Sequence, residues 1–200
     1  MRVSAEARGG AGRFAIRPYP AQLVEARVWH GRSITLRPIR PENEAQHREF
    51  LTRLDPQDVR LRVFYSRRHI EHSELARLTQ IDYEREMAFV AVAPSSSGPP
   101  EQTLAVVRAV ADPDNVSAEF GIVVRSDLKG AGLGELLMHK MIGYLRERAV
   151  QRLVATVLRE NRRMLELAQA LGFTQRRALH GAETVEIELS LAEVAAAASL

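Results

Sequence analysis

Residues 123–134, VVRSDLKGAGLG, place Gly130, Gly132 and Gly134 between a β-branched run and an amphipathic helix. Leu133, Leu136, Leu137, Met141, Tyr144 and Leu145 recur there at helical spacing, and Leu153 to Leu158 reads as the next strand. A strand, a helix of about 17 residues and a second strand form a right-handed crossover, so the two strands are expected to be parallel neighbours. Glycines at the strand-to-helix turn let successive backbone N–H groups converge on one point, where the helix N-terminus adds about half a positive charge. That geometry receives a phosphate. A Walker A loop would need Gly-Lys-Ser/Thr, and a GxGxxG loop starting at Gly130 would need glycine where Glu135 stands. The alternative is a turn whose glycines only let helix and strand pack closely.

Around this unit, Ile34, Leu36 and Ile39 give a first strand, and Pro41 with Glu42 and Glu44 opens a helix reaching about Leu54. Asp55 and Pro56 open a second helix, and Ser73 can cap a third. Met87 to Ala93 and Thr103 to Ala111 read as strands joined by an exposed hairpin loop, and Glu119 to Val124 leads into the glycines. Arg162 to Leu171 is a helix ending at Gly172, where positive φ is expected; Phe173 to Arg177 and Val185 to Leu189 supply the last strands. This organisation implies a flexible leader over residues 1–26, one domain over 27–190 and a tail over 191–200.

With 46% hydrophobic and 26% charged residues over 200 positions, the chain can bury a complete core and a ligand cleft. The sequence holds no apolar run of the roughly 20 residues a membrane span needs and no secretory apolar stretch, so no membrane partner and a cytoplasmic location are expected. Cysteine is absent, which excludes thiolate metal sites and an acyl-cysteine intermediate. An acyl group would have to move directly. The 28 basic residues face 25 acidic ones for a net charge of only +3, too balanced to argue for nucleic acid. His69, Glu71 and His72 lie beside Arg67 and Arg68 and read as a solvated helix start, so no metal is assigned.

These segments resemble the GNAT superfamily of N-acetyltransferases. The family signature is Arg or Gln, two residues, Gly, one residue, then Gly or Ala; it reads here as Lys129, Gly132, Gly134. The lysine departs from the pattern, at a loop that grips pyrophosphate mainly through main-chain amides. The second family segment is ENRRMLELAQALGF, with Asn161 at the helix start. The resemblance implies a mixed, mostly antiparallel sheet with two parallel splayed strands and flanking helices. It also implies acetyl-CoA as co-substrate, held by Lys129, Gly130, Ala131, Gly132, Leu133, Gly134 and Asn161, and an oxyanion donor among the backbone amides near Val123 or Val124. Many members place a tyrosine acid seven residues after the asparagine, where this chain has Ala168.

A narrower resemblance covers about residues 15 to 190. AIRPYPAQLVE, ITLRPIRPENE, LDPQDVRLRVF, IDYEREMAFVAV and AEFGIVVRSDLKGAGLG are similar to the C-terminal acetyltransferase domain of bacterial Pat-type protein lysine acetyltransferases. That family often carries an acyl-CoA synthetase-like region in a longer chain, so residues 1–26 are expected to be the remnant of a linker. The resemblance implies a protein substrate, with AMP-forming acyl-CoA synthetases as the usual targets.

A lysine amine of pKa about 10.4 is neutral in roughly one molecule in 2,500 at pH 7, equivalent to about 4.6 kcal/mol, so transfer needs a base. Glu119 leads the strand into the glycine loop and shares a strand face with Gly121 and Val123. It also matches the general base of Pat-type enzymes; as an alternative, a strand-end glutamate is simply solvated. Asp82, Tyr83, Glu84 and Glu86 could attract a basic peptide or form an ordinary polar turn. Two other functional readings keep the fold: acetylation of a small amine, and an acyl-CoA-sensing module without turnover.

Overall fold

A computed structural model describes residues 18–63, 72–94, 101–177 and 183–192. Eight strands form one sheet: β1 (Glu25–Trp29), β2 (Arg32–Pro38), β3 (Glu86–Ala93), β4 (Gln102–Ala111), β5 (Ser117–Val124), β6 (Arg152–Leu158), β7 (Thr174–Arg177) and β8 (Thr184–Ser190). Their spatial order is β1-β2-β3-β4-β5-β6-β8-β7, antiparallel throughout except for the parallel pair β5 and β6. Helices α1 (Glu44–Thr52), α2 (Pro56–Val63) and α3 (His72–Thr79) follow β2, α4 (Leu133–Glu147) is the crossover between β5 and β6, and α5 (Arg162–Ala170) follows β6. The expected fold class is the observed one. Gly172 ends the α5 segment at φ +86°, as its position predicted.

The strand alternation sends two sets of side chains to opposite faces. Met87, Phe89, Ala105, Val107 and Phe120 pack with Leu137 and Met141 of α4 in the larger core. Ala88, Val90, Val92 and Val106 pack with Phe50 of α1 and Leu54 in the smaller one, against which Val59 of α2 and Val123 also lie. The central strand β3 is therefore buried on both faces, which explains its unbroken apolar run.

Several boundaries move. β1 begins at Glu25, inside the stretch read as leader, and Tyr19 donates its hydroxyl to the Pro38 carbonyl at 3.2 Å. EARVW escapes a periodicity search because Ala26, Arg27 and Val28 are all exposed on this edge strand. Leu191, read as tail, is buried and donates its amide to the Gln151 carbonyl at 2.7 Å. The helix expected from Pro41 opens as a 3₁₀ turn over Pro41–Asn43 and becomes α1 at Glu44. The crossover helix has 15 residues, and α3 begins one residue before Ser73. Most of the PSSSGPPEQ loop lies outside the described residues. Among those described, no helix is long and apolar enough to cross a membrane.

His47 of α1 is only 4% exposed, and its Nδ1 has no hydrogen-bond partner among the described residues. Burial, reinforced by the nearby Arg108 guanidinium, pushes its pKa down to about 4. Because the unfolded chain then binds the proton more tightly, stability is complete above pH 6.5 and declines as pH falls towards 4. The loss approaches about 3 kcal/mol. Denaturant titrations at pH 7 and pH 4 should show this fall, and His47→Leu should flatten it. An equally steep acid loss in the variant would reassign the effect to other groups.

Candidate active site

β5 and β6 are paired only at Ser117↔Arg152, Ala118↔Leu153 and Glu119↔Val154; beyond these positions they separate. A cleft of about 940 Å³ opens between them, lined by Phe120 to Val124, Ala155 to Val157, the glycine loop and the start of α5. The ladder to β4 decides which β5 amides face it. Arg125 donates to the Leu104 carbonyl at 2.9 Å and Asp112 to Ser117 at 2.8 Å, so the odd-numbered residues of β5 bond to β4. The amides of Ile122 and Val124 consequently point to the open edge, while that of Val123 is directed to β4. The sequence alone left Val123 and Val124 equivalent.

At the end of β5, Ser126–Leu128 forms a 3₁₀ turn and the chain enters the glycines. Gly130 and Gly132 hold φ of +76° and +77°, where a side chain is strained. No carbonyl among the described residues accepts from the amides of Gly130, Ala131, Gly132, Leu133 or Gly134. Free N–H groups at the positive end of a 15-residue helix, opening on a cleft, form an anion-binding concavity. At Gly134 a Cβ would make ordinary van der Waals contact with Leu167, Val124 and Ile122 at 3.5–3.7 Å, where α4, α5 and β5 meet. The need for glycine therefore lies in the positive φ of Gly130 and Gly132 rather than in packing at Gly134.

Lys129 lines the cleft, but its ammonium forms an ion pair with Asp58 of α2. Asp58 also accepts from the Ser126 hydroxyl at 2.5 Å, and Ser126 accepts from the Asp55 amide at 2.9 Å. Arg60 of α2 pairs with Glu160 across the cleft mouth at 2.5 Å. Helix α2 is therefore tied to both lips of the cleft, a role that sequence reading missed because it depends on pairs about 70 and 100 residues apart. Trp29 and His30 reach the Ala131 carbonyl of the glycine loop at 2.7 and 3.1 Å.

Glu119 is the last β5 residue paired with β6, at the fork itself. It is exposed, and its carboxylate makes no hydrogen bond or ion pair among the described residues. Its side chain shares the Val123 face, away from Phe120 and α4. Asn161 lines the cleft and caps α5, accepting from the Met164 amide at 3.2 Å through its Oδ1. Ala168 is buried in the main core.

The Asp82 to Glu86 segment serves the fold. Asp82 accepts from the Glu84 amide at 3.0 Å, Tyr83 donates to the Ile39 carbonyl at 2.6 Å, and Glu86 pairs with Arg108. Burial raises the Tyr83 pKa. His69 and Glu71 lie outside the described residues.

Comparison with known proteins agrees with this geometry. The acetyltransferase (GNAT) family model matches residues 55–173. An acetyltransferase of Pseudomonas aeruginosa is 29% identical over 147 residues, 74% of this chain and 78% of that protein. The GNAT domain of S. lividans PAT superposes with a TM-score of 0.77 at 22% identity, over 86% of this chain and 99% of the other. Spermidine N-acetyltransferase from Vibrio cholerae, solved in complex with CoA and spermine, gives 0.61 at 16% identity, over 79% and 95%. With the family match spanning more than half of its length, from the start of α2 to the end of α5, this chain belongs to the GNAT family of acetyltransferases.

Proposed function

We propose that the protein is an acetyl-CoA-dependent lysine acetyltransferase that modifies folded proteins, with AMP-forming acyl-CoA synthetases as the expected targets. The observation that carries this reading is the exposure of Glu119 at the fork, where an amine attached to a protein surface can approach. Val110, opposite Glu119 on β4, is 45% exposed, and Thr156 on β6 is also exposed. The Pat-like segments and the likeness to the S. lividans domain support the same substrate class.

In this mechanism acetyl-CoA is the acyl-donor substrate: the free amides of Gly130 to Gly134 would hold its pyrophosphate, and the cleft between β5 and β6 would receive its acyl end. Glu119 takes a proton from the incoming lysine, directly or through one water. The neutral Nζ attacks the thioester carbonyl, and the Val124 amide, pointing into the cleft, donates to the developing oxyanion. The tetrahedral species then collapses: the C–S bond breaks, the electron pair leaves on CoA sulfur, and the nitrogen gives up its second proton to that thiolate or to water, which leaves the neutral amide. A thiolate has a low enough pKa to depart without an acid, which accords with Ala168 at the position of the family tyrosine.

Incubating a bacterial lysate with the protein and labelled acetyl-CoA, followed by mass spectrometry, tests the assignment. Lysine marks on acyl-CoA synthetases are expected. Label confined to small amines would favour the second reading, for which the likeness to a spermidine acetyltransferase speaks. No transfer at all would indicate a binding module.

A further inference from the structure

β1 adds little to the core: its middle residues are exposed, and Val28 is 79% exposed. Its two partly buried residues, Glu25 and Trp29, reach across to α4 and to the glycine loop before it. Glu25 pairs with Lys140 of α4 at 2.9 Å, and Trp29 donates its indole N–H to the Ala131 carbonyl at 2.7 Å. The hydrogen bond from Lys140 holds the Glu25 carboxyl below its ordinary pKa. His30, next to Trp29 and edge-on to it, reaches the same carbonyl at 3.1 Å. Ala131 lies between the two positive-φ glycines.

The consequence follows from peptide geometry. In a planar trans peptide the C=O and the following N–H point in opposite directions. Fixing the Ala131 carbonyl toward the hairpin therefore fixes the Gly132 N–H away from it, and Gly130 and Gly132 line the cleft on that other side. This peptide rotates about ψ of Ala131 and φ of Gly132, and the glycine side places little restriction on the rotation. A carbonyl turned inward would present a negative dipole to the anion.

We infer that Trp29 and His30 are positioning residues that lock the Ala131–Gly132 peptide in the orientation that binds pyrophosphate. The inference rests on the glycine loop holding that group, and the donor pair in the test separates the two claims. Calorimetric Kd values are compared for CoA and for S-acetylpantetheine, which lacks the pyrophosphate, with wild type, Trp29→Phe, His30→Ala and the double variant. Trp29→Phe is expected to weaken CoA about fivefold to tenfold and His30→Ala about threefold, as befits loss of single hydrogen bonds, with a larger loss in the double variant. S-acetylpantetheine affinity should stay within twofold. As Trp29 is the sole tryptophan, wild-type fluorescence should also change on saturation with CoA and not with S-acetylpantetheine.

Equal losses for both ligands would mean that Trp29 only packs, and would overturn the inference, as would unchanged CoA affinity in the double variant. Wild-type protein binding CoA no better than S-acetylpantetheine would instead remove the pyrophosphate site itself. Should Trp29→Phe fail to fold, His30→Ala, altered at an exposed side chain, decides by the same comparison.

Discussion

Replacing Gly132 by glutamate is expected to raise the Kd for acetyl-CoA more than about a hundredfold. Two effects act together. At φ +77° any side chain is strained by about 1–2 kcal/mol, so the local turn shifts. The introduced carboxylate also stands where the free amides converge; two like charges about 4 Å apart in a partly screened site repel by about 4 kcal/mol. A Cβ at Gly132 meets nothing within 4 Å, so the change should leave folding largely intact and fall on the cofactor. Gly132→Ala separates the terms: it carries the strain without the charge and should lose about tenfold. Unchanged affinity in a folded Gly132→Glu protein would remove the pyrophosphate from this loop.

The Glu119→Gln variant should divide binding from chemistry. The amide keeps the shape of the carboxylate but cannot take a proton, so turnover is expected to fall about 10²- to 10⁴-fold while acetyl-CoA affinity stays within a few-fold. The exposed site makes a loss of stability small. The residual rate should climb with pH as more lysine becomes neutral unaided, towards the reference value of about 10.4. Wild-type turnover by the variant at neutral pH would reassign the base. Glu86 is a poor substitute because Arg108 already holds it.

How much of this was legible depended on the range of the interactions. The α4 stripe, the Gly172 stop and the strand-to-helix glycines are local, and each element forms where its residues predict. Where β5 and β6 part company is not local: pairing ends after Glu119 because of how two distant strands twist, and nothing in AEFGIVV marks that point. The parity that aims the Val124 amide into the cleft likewise depends on register with β4. Three further features came only from tertiary contacts: β1, too short and exposed to show a period; Trp29 on Ala131; and the Asp58 pair that occupies Lys129. The last gives the lysine, at a signature position where Arg or Gln is usual, a structural role: it anchors α2 and leaves the loop amides free.

On the proposed function the Glu119 face receives an amine carried on a protein. The most direct measurement is the ratio of kcat/KM for a lysine in a folded acyl-CoA synthetase to that for free spermidine, both measured with acetyl-CoA at saturation. A face open beside Val110 and Thr156 offers a small polyamine few enclosing contacts, so the protein lysine is expected to be favoured by at least about tenfold. A ratio below one, with spermidine the faster substrate, would exclude a protein lysine as the preferred acceptor and make the protein a small-amine acetyltransferase.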